Sequence, residues 1–180
     1  MKRISYCVSA LAVALGLSAC GGGGGGGGGG GKALDGTPDS VGLTGTWEAQ
    51  YAGKSDASGT TTIRGKLAFS GDNFTYTWYQ KLVGPDNQVV YDWTETMRET
   101  GKVSATEGYM QWTADSFGEA VYNEVAKTWG PVNMKSSTND YAITFSKDGD
   151  KLTLKEDINV DGDFDDVFTA PETLVYTKVK

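Results

Sequence analysis

Gly45-Thr46-Trp47-Glu48-Ala49-Gln50-Tyr51 decides the fold: its odd positions are small or apolar and its even positions polar, the two-residue period of a strand with one buried face. The same alternation continues outward from it. From Thr61 to Phe69, the residues Ile63, Leu67 and Phe69 share one face while Arg64 and Lys66 share the other, and Ser70-Gly71-Asp72-Asn73 has the composition of a hairpin turn. Phe74, Tyr76 and Trp78 alternate with threonines until Gly84-Pro85-Asp86-Asn87. Val89, Tyr91, Trp93 and Met97 follow on one parity, and Gly101 closes that segment. Shorter strands are expected at Tyr109 to Thr113, Tyr141 to Phe145, Lys151 to Leu154 and Thr173 to Val179, with Lys147-Asp148-Gly149-Asp150 as a turn. Eight or nine strands joined mostly in sequence predict an all-β chain, an antiparallel barrel or sandwich.

One stretch departs from the period of two. Ser116-Phe117-Gly118-Glu119 has the Ser-x-x-Glu form of a capping box, and Phe117, Val121 and Val125 recur every four residues before Gly130-Pro131. A short helix or a long folded loop is expected near 116–130, although Gly118 and the two valines disfavour helix.

Ahead of the body stands a different kind of sequence. Met1-Lys2-Arg3 is basic, Val8 to Leu17 is almost wholly apolar, and Leu17-Ser18-Ala19-Cys20 ends the run with small residues and a cysteine. This is the pattern of an export signal, too short in its apolar part to span a bilayer. Leu17-Ser18-Ala19-Cys20 resembles the lipobox of bacterial lipoproteins. The resemblance implies cleavage between Ala19 and Cys20, lipid on the Cys20 sulfur, and, with Gly21 instead of aspartate after the cysteine, an outer-membrane address on either leaflet.

Eleven glycines, Gly21 to Gly31, follow. A glycine run buries no apolar surface, so a flexible tether of about 17–20 Å root-mean-square span is expected. It serves either as reach toward a partner or as a plain spacer. The expected division is a signal over 1–19, a lipidated cysteine with its tether over 20–42, and one domain over 43–180.

Composition removes whole classes of chemistry. There is no histidine, and the two cysteines, Cys7 and Cys20, both precede the body. Ser-His-Asp and Cys-His devices and histidine-bearing metal sites are thereby excluded within the chain, as is a disulfide framework in the body. The net charge is −7, and losing Lys2 and Arg3 with the signal makes the rest more acidic. No basic cluster exists to hold nucleic acid, so membrane attachment falls to the lipid on Cys20.

Gly45-Thr46-Trp47 resembles the Gly-x-Trp opening of lipocalins, and Thr138-Asn139-Asp140-Tyr141 is similar to their Thr-Asp-x-Tyr element. The likeness extends in pattern over residues 43 to 180. It implies an up-and-down barrel of about eight strands and a small hydrophobic ligand. An arginine stacked on the first-strand tryptophan is also implied; the chain has only Arg3, Arg64 and Arg98, which leaves Lys178 or Lys180 for that place.

Three groups of residues invite a chemical reading. Asp157, Asn159, Asp161, Asp163, Asp165 and Asp166, with Gly162 at the sixth position, resemble an EF-hand calcium loop whose twelfth position is Phe168. Weak calcium binding, about 10⁻⁴ to 10⁻³ M, stands against an acidic loop holding no ion. Trp47, Phe69, Tyr76, Trp78, Tyr91, Trp93 and Phe145 are candidate linings of a ligand cavity, unless they simply fill the core. Exposed Trp93 or Trp129 would suit carbohydrate. Glu95 with Glu99, or Asp92 with Glu95, are carboxylate pairs that acid–base catalysis would need 5–9.5 Å apart in a cleft. The sequence is therefore read as a non-catalytic, lipid-anchored envelope protein that binds a small hydrophobic ligand or plays a structural role, or else as a displayed module recognising a macromolecule.

Overall fold

The computed structural model describes residues 34–123, 125–156 and 171–180, and these are all-β without a helix. The long strands are β1 (Gly45–Asp56), β2 (Gly59–Ser70), β3 (Asn73–Val83), β4 (Val89–Thr106) and β5 (Tyr109–Glu119). After them come the short β6 (Tyr122–Asn123), β7 (Thr128–Trp129) and β8 (Asn133–Ser136), then β9 (Asp140–Asp148), β10 (Lys151–Lys155) and β11 (Thr173–Lys178). Strands β1 to β5 form a meander, β9 to β11 continue it, β5 pairs with both β4 and β9, and β11 returns to β1. The result is a closed antiparallel barrel of eight strands, which leaves no unpaired edge around its circumference.

Closure depends on β4, which spans 18 residues. Gly101 does not end this strand, as its residue type suggests; it lies inside it, at a register shift opposite β5. A Cβ there would fall 2.1 Å from the Thr113 carbonyl oxygen. Glycine thus permits the bulge that bends one long strand across two neighbours.

No helix forms between 116 and 130. Ser116 bonds sideways, its hydroxyl 2.8 Å from that of its cross-strand partner Thr100. Gly118 lets β8 approach, since a Cβ would meet Met134 Sδ at 2.7 Å. Val121 and Val125 are exposed instead of forming a buried stripe. A small β6–β7 hairpin follows, in which the Asn123 side chain accepts hydrogen bonds from the amides of Val125 and Ala126 at 3.0 and 2.9 Å.

The barrel has two unlike ends. Residues 34–44 lie across the end that holds the tight turns at 71–72, 107–108 and 149–150, here called the floor. Gly36 accepts a backbone hydrogen bond from Ala105 at 2.9 Å, and Pro38 and Leu43 are fully buried. Trp47, also fully buried, donates its indole N–H to the Leu43 carbonyl at 2.7 Å. Lys178 Nζ sits 5.2 Å from the centre of the Trp47 ring, so a lysine covers the first-strand tryptophan, while Lys180 pairs with Asp150. Gly45 allows this approach: its φ is +112°, and a Cβ would lie 3.2 Å from Lys178 Cε. The opposite end, the mouth, carries the 84–88 turn, the described part of the excursion holding β6 to β8, and the ends of β10 and β11 at Glu156 and Glu172.

Candidate functional site

The inward faces fall into two layers. Toward the floor, Trp112 stacks on Phe74 at 4.9 Å between ring centres and meets Phe69, Tyr76 and Tyr141 edge-on. Leu67, Val103, Met110, Ile143, Phe145 and Leu152 pack around it. Of the predicted lining residues, Trp47, Phe69 and Phe145 belong to this packed layer. Burial of such aromatic surface is what holds the barrel together.

Toward the mouth the interior turns polar. Tyr76 and Tyr176 meet hydroxyl to hydroxyl at 3.0 Å, above a gap left by Gly65, where a Cβ would stand 3.1 Å from the Tyr76 oxygen. Glu99 points inward opposite Tyr76 on β3 and accepts a hydrogen bond from the Tyr141 hydroxyl at 3.0 Å. Leu152 and Leu154 face the core, and continuing their alternation brings Glu156 inward; Glu172, Leu174 and Tyr176 do the same on β11. The Glu156 amide bonds the Glu172 carbonyl at 3.0 Å. Three glutamates thus converge on one level, with Glu99 and Glu172 only 5 % and 2 % exposed.

Their electrostatics follow from that placement. Burial raises the Glu99 carboxyl above the ordinary range, against the opposing hydrogen bond from Tyr141. Burial first, then the charges of Glu99 and Glu172, push Glu156 up to about 7. Burial also lifts the phenols of Tyr51, Tyr76, Tyr141 and Tyr176 far above 10. Two polar atoms in this layer, Trp78 Nε1 and Tyr51 Oη, make no hydrogen bond of good geometry, the Trp78 N–H being turned toward the Tyr76 hydroxyl. Trp78 is 8 % exposed, its ring edge-on to Tyr76 at 5.6 Å.

The remaining predicted lining residues lie elsewhere. Between Met97 and Glu95 the β3–β4 register slips by one residue at Thr96, reversing the parity of β4. Trp93, expected on the Met97 face, is consequently on the outer wall, its ring 4.6 Å from the Arg64 guanidinium, which also lies 5.0 Å from Tyr79. The same slip separates Glu95 from Glu99: Glu95 is outside, forked to Arg98 by two 2.8 Å contacts, and Glu99 is inside. Asp92 is outside too, 3.3 Å from Lys81. Neither expected carboxylate pair therefore shares a cleft. Tyr91 is at the mouth rim, in a cluster with Tyr122 and Trp129 at 5.2–5.7 Å between ring centres.

Glu156 and Glu172 carried no sequence motif. Their only signal is parity, since each extends an apolar inward series by one more step. The residues Asp157, Asn159, Asp161, Asp163, Asp165 and Asp166 lie outside the described residues, as does Cys20. Among the described residues no three acidic, histidine or cysteine side chains stand close enough to hold a metal ion. No family model, no curated protein and no solved structure matches the chain.

Proposed function

We propose that this chain is a lipid-anchored protein of the bacterial cell envelope, attached through Cys20, whose lipocalin-like barrel takes a small, largely apolar ligand in its mouth-side half. The observation that carries this reading is the layering of the interior: a solid aromatic floor beneath a layer with buried polar atoms that make no hydrogen bond of good geometry. A buried donor left in that state is costly, and a ligand acceptor at Trp78 Nε1 removes that cost. The attachment of residues 34–44 at the floor agrees with a tether on that side, which would turn the mouth away from the bilayer.

Native mass spectrometry of protein purified from its own host tests ligand binding: a retained small molecule, lost on Trp78→Ala, is the expected result. Cys20→Ala should move the protein from the membrane fraction to the soluble fraction. A protein that stays with the membrane after that change is not anchored as proposed.

A second reading has its own support at the rim. Tyr91, Tyr122 and Trp129 stand beside a hairpin whose Val121 and Val125 are exposed, a surface suited to a macromolecule. It predicts that Trp129→Ala abolishes partner binding and leaves small-molecule retention unchanged.

A further inference from the structure

We infer that the outer wall of the barrel carries a binding site, at Arg64, Tyr79 and Trp93, for a sugar that bears a carboxylate or phosphate group. The site is independent of the ligand reading above, because it lies on the opposite face of strands β2 to β4. Gln50, Arg64, Tyr79 and Glu95 stand side by side on four adjacent strands. The register slip at Thr96 that turns Glu95 outward turns Trp93 outward with it. The Arg64 guanidinium then lies over two rings, 5.0 Å from the centre of Tyr79 and 4.6 Å from that of Trp93. Rings cover the faces of a guanidinium and leave its N–H groups, which all lie in its plane, free to donate.

Those donors are not taken up within the barrel. Among the described residues no carboxylate stands within ion-pair distance of Arg64, and its Nε is buried without a hydrogen-bond partner. The neighbouring cations are committed: Lys81 to Asp92 at 3.3 Å, and Arg98 to Glu95 by two contacts of 2.8 Å. The same pairings neutralise the two carboxylates that would otherwise repel an anion here. Lys66, two residues along the same face of β2, adds positive charge to this wall of a chain whose net charge is −7. An arginine fixed by two rings, with its fork empty, is complementary to an oxyanion taken by two parallel hydrogen bonds. Tyr79 and Trp93 are only half-buried, so ring surface stays open beside the fork. A bare ion leaves those rings unused. A sugar acid uses all of it: its acid group meets Arg64, one face of its ring meets the aromatics, and its hydroxyls meet the Tyr79 hydroxyl and the exposed Gln50 amide.

Titration of the full chain with glucuronate, glucose 6-phosphate, glucose and inorganic phosphate, followed by nuclear magnetic resonance of the indole and backbone N–H groups, tests the inference. At least one acidic sugar should bind about tenfold or more tightly than glucose and than inorganic phosphate, shift the Trp93 indole signal, and lose affinity as salt is raised. Which of the two binds more tightly identifies the acid group. Arg64→Lys keeps the charge without the planar fork and should bring the acidic sugars down to the level of glucose. Trp93→Leu should weaken the sugars and leave inorganic phosphate unchanged. Equal binding of glucose and both acidic sugars overturns the site, as does full affinity in Arg64→Lys, which would mean general attraction to positive charge. Inorganic phosphate that binds as tightly as glucose 6-phosphate overturns the sugar as its ligand. The map of shifted signals in the unaltered chain decides even if a variant does not fold: shifts away from β2 to β4 overturn the site. None of these results alters small-molecule retention inside the barrel, which native mass spectrometry reads separately.

Discussion

At the scale of single residues, the buried glutamates set a measurable liability. Glu156 ionises near 4.5 in an unfolded chain and near 7 in the barrel, so between those values the folded state holds the extra proton. Stability must then fall as pH rises from about 4.5 to 7, by at most roughly 3 kcal/mol. Glu99 acts in the same direction. Thermal melts across this window should show the decline, and Glu156→Gln should flatten most of it. An unchanged slope in that variant would assign the pH dependence to other groups. Gly65 gives a second test at this scale. Gly65→Ala puts a methyl group 3.1 Å from the Tyr76 hydroxyl, which should cost about 1–3 kcal/mol in urea unfolding. If Tyr76→Phe is made first, part of that cost should disappear, because the oxygen in the way has gone.

At the scale of elements, strand alternation was legible and bulges were not. Trp47, Leu67, Phe74 and Tyr76 are inward as their period requires, because in a paired strand parity alone assigns the face. A bulge adds one residue and inverts that assignment for everything beyond it. Thr96 carries no composition that announces a bulge, so Trp93 and Glu95 were expected on the wrong wall. Gly101 did announce something, but a glycine that ends a strand and one that bends it are the same letter. The distinction is testable: Gly101→Val places branched carbons against the Thr113 carbonyl and should abolish cooperative unfolding in circular dichroism. The same substitution at Gly71, whose side chain would meet nothing but whose φ is +59°, should cost only about 1–2 kcal/mol. The helix expected near 116–130 failed for a related reason. Capping-box letters describe what Ser116 can do, and cross-strand Thr100 offered its hydroxyl a different partner.

At the scale of the whole molecule, the barrel and its division into an aromatic floor and an acidic mouth come from how strands of different chain position are brought side by side. Glu156 and Glu172 are neighbours at the paired ends of β10 and β11, but Glu99 comes from β4, much earlier in the chain, and only the curled wall brings it to their level. That is why the number of strands could be read along the chain while the site could not. Closure itself rests on the β1–β11 pairing, where the Val179 amide reaches the Thr46 carbonyl at 2.8 Å. Deleting β11 should leave β2 to β5 without a closed wall, with loss of near-ultraviolet dichroism and strong binding of a hydrophobic dye. A sharp melting transition in that truncation would mean that the meander is stable alone.

The Lys178 contact over Trp47 also sets a timetable. The seam that completes the barrel joins its first strand to its last, so a ribosome must have released β11 before any wall can close. Until then the emerging chain is an open ribbon whose first strand lacks its partner on one side. A wall latched by its last strand closes only after every strand before it has been made, so folding of the barrel waits for the end of synthesis.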